Sequence, residues 1–182
     1  MSESTFRPRY LNDRAFPSYA YLPGRFPHPV RDPGGHSFGL EEPNITPGDL
    51  LGSQEYLWGT DLFNHGYYWE AHEAWEGLWQ AAEGDQRLFL KGMILLSASG
   101  VKVREGKRRS ALRHASRAAE VFLPLPTTTQ LDLARYIGMT PFDAARRAIA
   151  AIQHPLSSAD QGLVARPTFP FMLHCTSHGL IK

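Results

Sequence analysis

Apolar residues between positions 53 and 154 recur at spacings of three and four, which is the rhythm of helices with one buried face. Ser53 opens a helix running through Phe63, with Tyr56, Leu57, Leu62 and Phe63 apolar, and Gly66 is the turn residue after it. A second helix is expected from Tyr67 to about Ala81, its core stripe made of Tyr67, Ala71, Ala74, Trp75 and Leu78, ending near Gly84. Asp85 reads as the N-cap of a third over 86–105, with Phe89, Met93, Leu96, Gly100 and Val103 in register and Gly106 closing it. Gly92 and Gly100 inside that helix each cost about 1 kcal/mol relative to alanine, so a close neighbour is expected over them.

A fourth helix, about 108–123, turns Ala111, Leu112, Ala115, Ala119 and Phe122 inward and Arg108, Arg109, Arg113 and Arg117 outward, and Pro124 and Pro126 stop it. Thr129 with Asp132 resembles a capping box for a short helix closing at Gly138. Thr140, Pro141 and Asp143 then supply an N-cap, a first-turn proline and an acid, followed by inward Phe142, Ala145, Ile149 and Ile152 until Pro155. No stretch alternates long enough to suggest a sheet. The fold class is therefore all-α: a single bundle of about five to six helices around a helical-hairpin core, spanning 53–154.

Composition changes the picture at the two ends. Residues 1–52 hold eight of the fourteen prolines, which excludes long regular elements, yet Phe6, Tyr10, Phe16, Tyr19, Tyr21, Phe26 and Phe38 also fall there. An ordered arm wrapping the body is expected, with a second proline-containing arm over 155–182. A chain of 182 residues that is 42% hydrophobic supports one domain with a real core. A net charge of +1 gives no overall pull toward nucleic acid or an acidic membrane. The single Cys175 forms no internal disulfide and suits a reducing interior, and Met93 to Val101, nine residues between lysines, is too short to cross a bilayer. A soluble cytoplasmic protein is expected, without a membrane partner; a homo-oligomer is compatible with the sequence.

The chemistry concentrates in the second helix. His72-Glu73-Ala74-Trp75-Glu76 invites comparison with the HExxH zinc helix, with Glu76 replacing the second histidine. His72 and Glu76 are one turn apart and could both ligate one divalent metal. Further ligands could come from Glu73, His28, His36, His65 or His114, and the sequence does not choose among them. His28 and His36 lie in a loop stiffened by Pro27, Pro29 and Pro33 and could roof such a site or bond to backbone. The structural alternative is a polar knot in which Glu73 or Glu76 accepts from Arg87 or His72. Trp69, Trp75 and Trp79 fit a core better than a ligand wall. The basic run Lys102, Arg104, Lys107, Arg108, Arg109, Arg113 and Arg117 reads as a solvated face, which makes nucleic acid an unfavoured partner.

The segment FNHGYYWEAHEAWEGLW, followed by RLFLKGMILLSASGVKVREGKRRSALRHASRAAEVF, resembles the bacterial and archaeal family DUF309. The family signature, His, three residues, Glu, two residues, then Trp or Tyr, is matched by His72, Glu76 and Trp79, and the resemblance extends over about 53–123. It implies an all-α fold and metal binding at the motif, with no activity attached. It also implies Gln and His where this chain has Lys91 and Lys102, so a site lined by those positions would be more cationic here. Two functions are carried forward: a metal-binding protein or small enzyme acting on an unidentified small molecule near His72 and Glu76, with His28, His36, Glu73, Arg87 and Trp79 nearby; and a helical hairpin whose aromatic groove binds a protein.

Overall fold

Ser53 sits in an extended conformation and its hydroxyl accepts the Tyr56 N–H, which starts α1, Gln54–Asn64. α2 covers Tyr68–Ala81, α3 Gly84–Arg104, α4 Arg108–Phe122, α5 Thr127–Ile137 and α6 Pro141–Gln153, and a 3-10 turn at Leu50–Gly52 precedes them. This is a computed structural model; the structure describes residues 7–41, 43, 45, 48–154 and 164–175. Those residues hold six α-helices and no strand, and none of the helices is long and apolar enough to cross a membrane. The remaining parts of the two expected arms, 1–6, 42, 44, 46–47, 155–163 and 176–182, lie outside the described residues.

α3 is the axis, because it packs on α2 along one side and on α4 along the other, with α1 against α2 and α6 against α4. Its two predicted close approaches are present, and the neighbours are rings rather than helix backbone. A side chain at Gly92 would overlap the Phe122 ring, and one at Gly100 would lie 2.5 Å from the ring of Tyr68. Gly59 of α1 does the same for the Trp75 indole, whose Nε1 donates to Tyr56 O at 3.4 Å. Three missing side chains thus make room for three buried aromatics, which is what interior packing density demands.

Two helix starts differ from expectation. Asp85 is inside the first turn of α3, where the cap residue is Glu83 without a side-chain bond. Asp85 Oδ2 instead accepts from the Thr129 hydroxyl at 3.0 Å. That contact takes Thr129 away from the expected capping box, and α5 begins earlier, at Thr127 after Pro126. The Thr140 cap forms as read, accepting from Asp143 N–H at 3.2 Å.

The described parts of the arms lie on the body. Along 169–175 alternate residues, Phe169, Phe171, Leu173 and Cys175, are buried, as in a strand, but their backbone is bonded by side chains. Asn64, Arg7, Tyr10 and Tyr68 reach Leu173, Phe169 and Phe171, Cys175 and Thr168 respectively. On the N-terminal side, the buried Asp61 carboxylate accepts from Tyr10 N–H at 2.8 Å and Leu11 N–H at 2.9 Å. Buried backbone polar groups require partners, and polar side chains of α1 and α2 provide several of them.

Candidate functional site

Gly66, at φ 87°, turns the chain between α1 and α2, and the backbone of Arg166 lies so close that only a glycine fits. The buried stripe that follows is Tyr68, Ala71, Trp75 and Leu78. It includes Tyr68 rather than the expected Tyr67, which is half-buried, as is Ala74. Tyr68 can be fully buried because Thr168 donates both its N–H and its hydroxyl to the phenolic oxygen. This rotation leaves His72, Glu73 and Glu76 beside the stripe, on the border between core and solvent.

His72 Nε2 stands 3.3 Å from Glu76 Oε2, with the two side chains 28% and 41% exposed. One ligand atom from each of His72, Glu73 and Glu76 lies within 4.8 Å of the others. Burial holds the His72 imidazole below its ordinary pKa against the pull of Glu76, and the Lys91 ammonium adds to the lowering. The ring is therefore neutral near pH 7, the form in which imidazole ligates a metal. His114, on α4, is close enough for its titration to feel the charge of His72; its own pKa is lowered by burial, then by Arg113, Lys102, Arg117 and His72. Its Nδ1 is buried with no hydrogen-bond partner.

The other residues singled out by the sequence go elsewhere. His36 lies 3.1 Å from Glu70 Oε1 through Nε2 and 2.8 Å from the Ser37 hydroxyl through Nδ1. The same Glu70 oxygen accepts Tyr21 N–H at 2.7 Å. His28 Nδ1 accepts from Val30 and Arg31 N–H and its ring meets Trp69 edge-on. His65 contacts the Asp61 and Arg7 carbonyls. Arg87 does not close on the carboxylates of α2. It donates to the carbonyls of Trp79 and Ala82 at 2.8 and 3.1 Å, capping the end of α2, while its guanidinium lies 4.1 Å over the Trp79 ring. Lys91 lies 4.7 Å over the same ring. Trp69 is met by Tyr21 and His28 of the arm. Trp75 lies in the core, whereas Trp69 and Trp79 are half-buried.

A cavity of about 360 Å³ runs between α1, α2 and the N-terminal arm. Glu73 and Glu76 belong both to the donor cluster and to this cavity's wall, which also includes Glu70, His36 and Trp69. Glu70 was not read from the sequence. Its one signal is an acid set against the margin of an apolar stripe, and its partner, His36, is 34 positions away in a loop. Residues 56–114 match the family model described as domain of unknown function (DUF309). No curated protein and no solved structure matches the chain.

Proposed function

Because residues 56–114 are matched by the DUF309 family, whose description assigns no activity, we propose a function from the site itself: the protein holds a divalent metal ion on His72, Glu73 and Glu76, at the edge of the cavity beside α2. The observation that supports this is the convergence of one imidazole nitrogen and two carboxylate oxygens within 4.8 Å on a partly exposed helix face. The donor set fits: nitrogen with oxygens suits zinc, manganese or ferrous iron, and three protein donors are what catalytic sites use. A bound ion would supply Lewis acidity to a small molecule in the cavity. His72 contributes a neutral ring at neutral pH, and Glu73 and Glu76 contribute the negative charge that favours a cation. Lys91 opposes it, which tunes affinity downward and favours an exchangeable ion. The single cysteine agrees with a reducing, cytoplasmic setting.

Elemental analysis of protein purified without chelator should find a stoichiometric divalent metal that is lost in His72→Ala, and adding Zn²⁺, Mn²⁺ or Fe²⁺ to chelated protein should raise its melting temperature. Metal-free protein whose melting ignores all three ions would refute the reading.

A further inference from the structure

The cavity carries more charge than a metal at its edge accounts for. Its wall includes five carboxylates, Glu41, Glu55, Glu70, Glu73 and Glu76, against Arg14 and His36. Arg14 is already engaged: its Nη1 donates to both Glu55 oxygens at 3.0 and 3.2 Å, and its guanidinium lies 4.3 Å over the Trp58 ring. His36 is engaged with Glu70 and Ser37. The wall is net negative and has apolar surface beside it, including Trp58 and Trp69.

Glu70 distinguishes this cavity from a mere collection of acids. Its side chain is 5% exposed, its Oε1 meets both Tyr21 N–H and His36, and its Oε2 is buried with no hydrogen-bond partner. A buried carboxylate oxygen without a donor is costly, and a cationic N–H donor satisfies it most strongly. The metal cluster does not include Glu70. The volume lies at the low end of the roughly 300–1,000 Å³ range of small-molecule sites.

We propose that this cavity binds a small organic cation, a protonated primary amine on an apolar body, with its ammonium on Glu70 and its body against Trp58 and Trp69. The carboxylates supply the charge that favours the cation over a neutral isostere, and Trp58 and Trp69 offer apolar surface to its body. The inference stands apart from the metal at His72, since Glu70 is not one of its donors.

Isothermal titration calorimetry with phenethylamine, cyclohexylamine and butylamine, alongside 2-phenylethanol and 3-phenylpropionate, tests it. At least one amine should bind saturably, with phenethylamine more than about tenfold tighter than the alcohol and the carboxylate not binding. Glu70→Gln keeps an oxygen for Tyr21 N–H and removes the charge, and should cost about tenfold or more in amine affinity. A second variant covers the case in which that protein fails to fold. Gly77 of α2 lines the cavity, and a Cβ there meets nothing nearer than Ile45 Cγ1 at 3.9 Å, so in Gly77→Leu the side chain grows into the space on a helix that gains propensity. Folded Gly77→Leu should lose amine binding. No binding by any of the three amines, equal affinity for amine and alcohol, or amine binding unchanged in Gly77→Leu overturns the proposal. His72→Ala should lose metal and keep the amine, which separates a failure of this site from a failure of the metal site.

Discussion

Asn64, the last residue of α1, bonds Leu173 at both its backbone groups: its Nδ2 donates to Leu173 O at 2.9 Å, and Leu173 N–H donates to its Oδ1 at 2.8 Å. One amide side chain thus does what a neighbouring strand does in an antiparallel ladder, exchanging both bonds with a single residue. It lets 169–175 lie extended and half-buried with no sheet to join. Asn64→Ala leaves both Leu173 groups buried and unpaired, and should cost about 2–4 kcal/mol in denaturant unfolding. Hydrogen exchange at the Leu173 amide should lose its protection in the same variant. A cost below about 0.5 kcal/mol would show that the arm is not fastened there.

Gly92 and Gly77 are both helical glycines, and they should respond to alanine with opposite signs. Gly92→Ala drives a methyl group into the Phe122 ring between α3 and α4, and should destabilise by about 1–3 kcal/mol. Gly77→Ala adds a methyl group on α2 that meets only Ile45 Cγ1, at 3.9 Å, and should stabilise by about 0.5–1 kcal/mol, chiefly through helix propensity. Thermal or urea unfolding of the two variants side by side checks both.

The helical body was legible because its signals are local. The caps at Ser53 and Thr140, the left-handed Gly138 and the stripe of α3 all depend on residues within a turn or two of each other, whereas on α6 Ala144 and Ala148 are buried and the expected Phe142 and Ile149 are half-buried. His72 and Glu76 were legible for the same reason, as an i, i+4 pair. What escaped depends on partners far along the chain. Tyr68 displaces Tyr67 from the core because Thr168, 100 positions on, satisfies its hydroxyl. Thr129 abandons its capping box for Asp85, 44 positions back. Glu70 and His36 meet only once the arm has folded over α2. The alternate burial of Phe169 to Cys175 was not read, because the partners of its backbone, the side chains of Arg7, Tyr10 and Asn64 and the Ile137 carbonyl, all lie far along the chain.

His114 gives the fold a dependence on pH with a definite sign. Burial and the surrounding positive charge hold its imidazole below 6.5, so between the folded and unfolded values the unfolded chain carries the proton and the folded chain does not. Stability is therefore present above about pH 6.5 and is lost as pH falls through that window. The denaturant midpoint should drop between about pH 7 and pH 5, and His114→Gln should flatten the slope in part, since the His72 shift has the same direction. An identical slope in His114→Gln would place the cause elsewhere. Asp61 acts with the opposite sign, because burial raises its pKa above 3.8 and it favours the folded state only at the acid end.

The most direct test of a metal on α2 is a histidine side-chain NMR titration with Zn²⁺, the ring resonances being assigned by single substitution. The His72 ring signals should move to a new position and saturate at a stoichiometric addition of zinc. Those of His36, engaged with Glu70, and His28, engaged with its own loop, should stay where they are, and Glu76→Gln should weaken the response. A His72 ring that ignores zinc, or a response centred on His28 or His36, would contradict it.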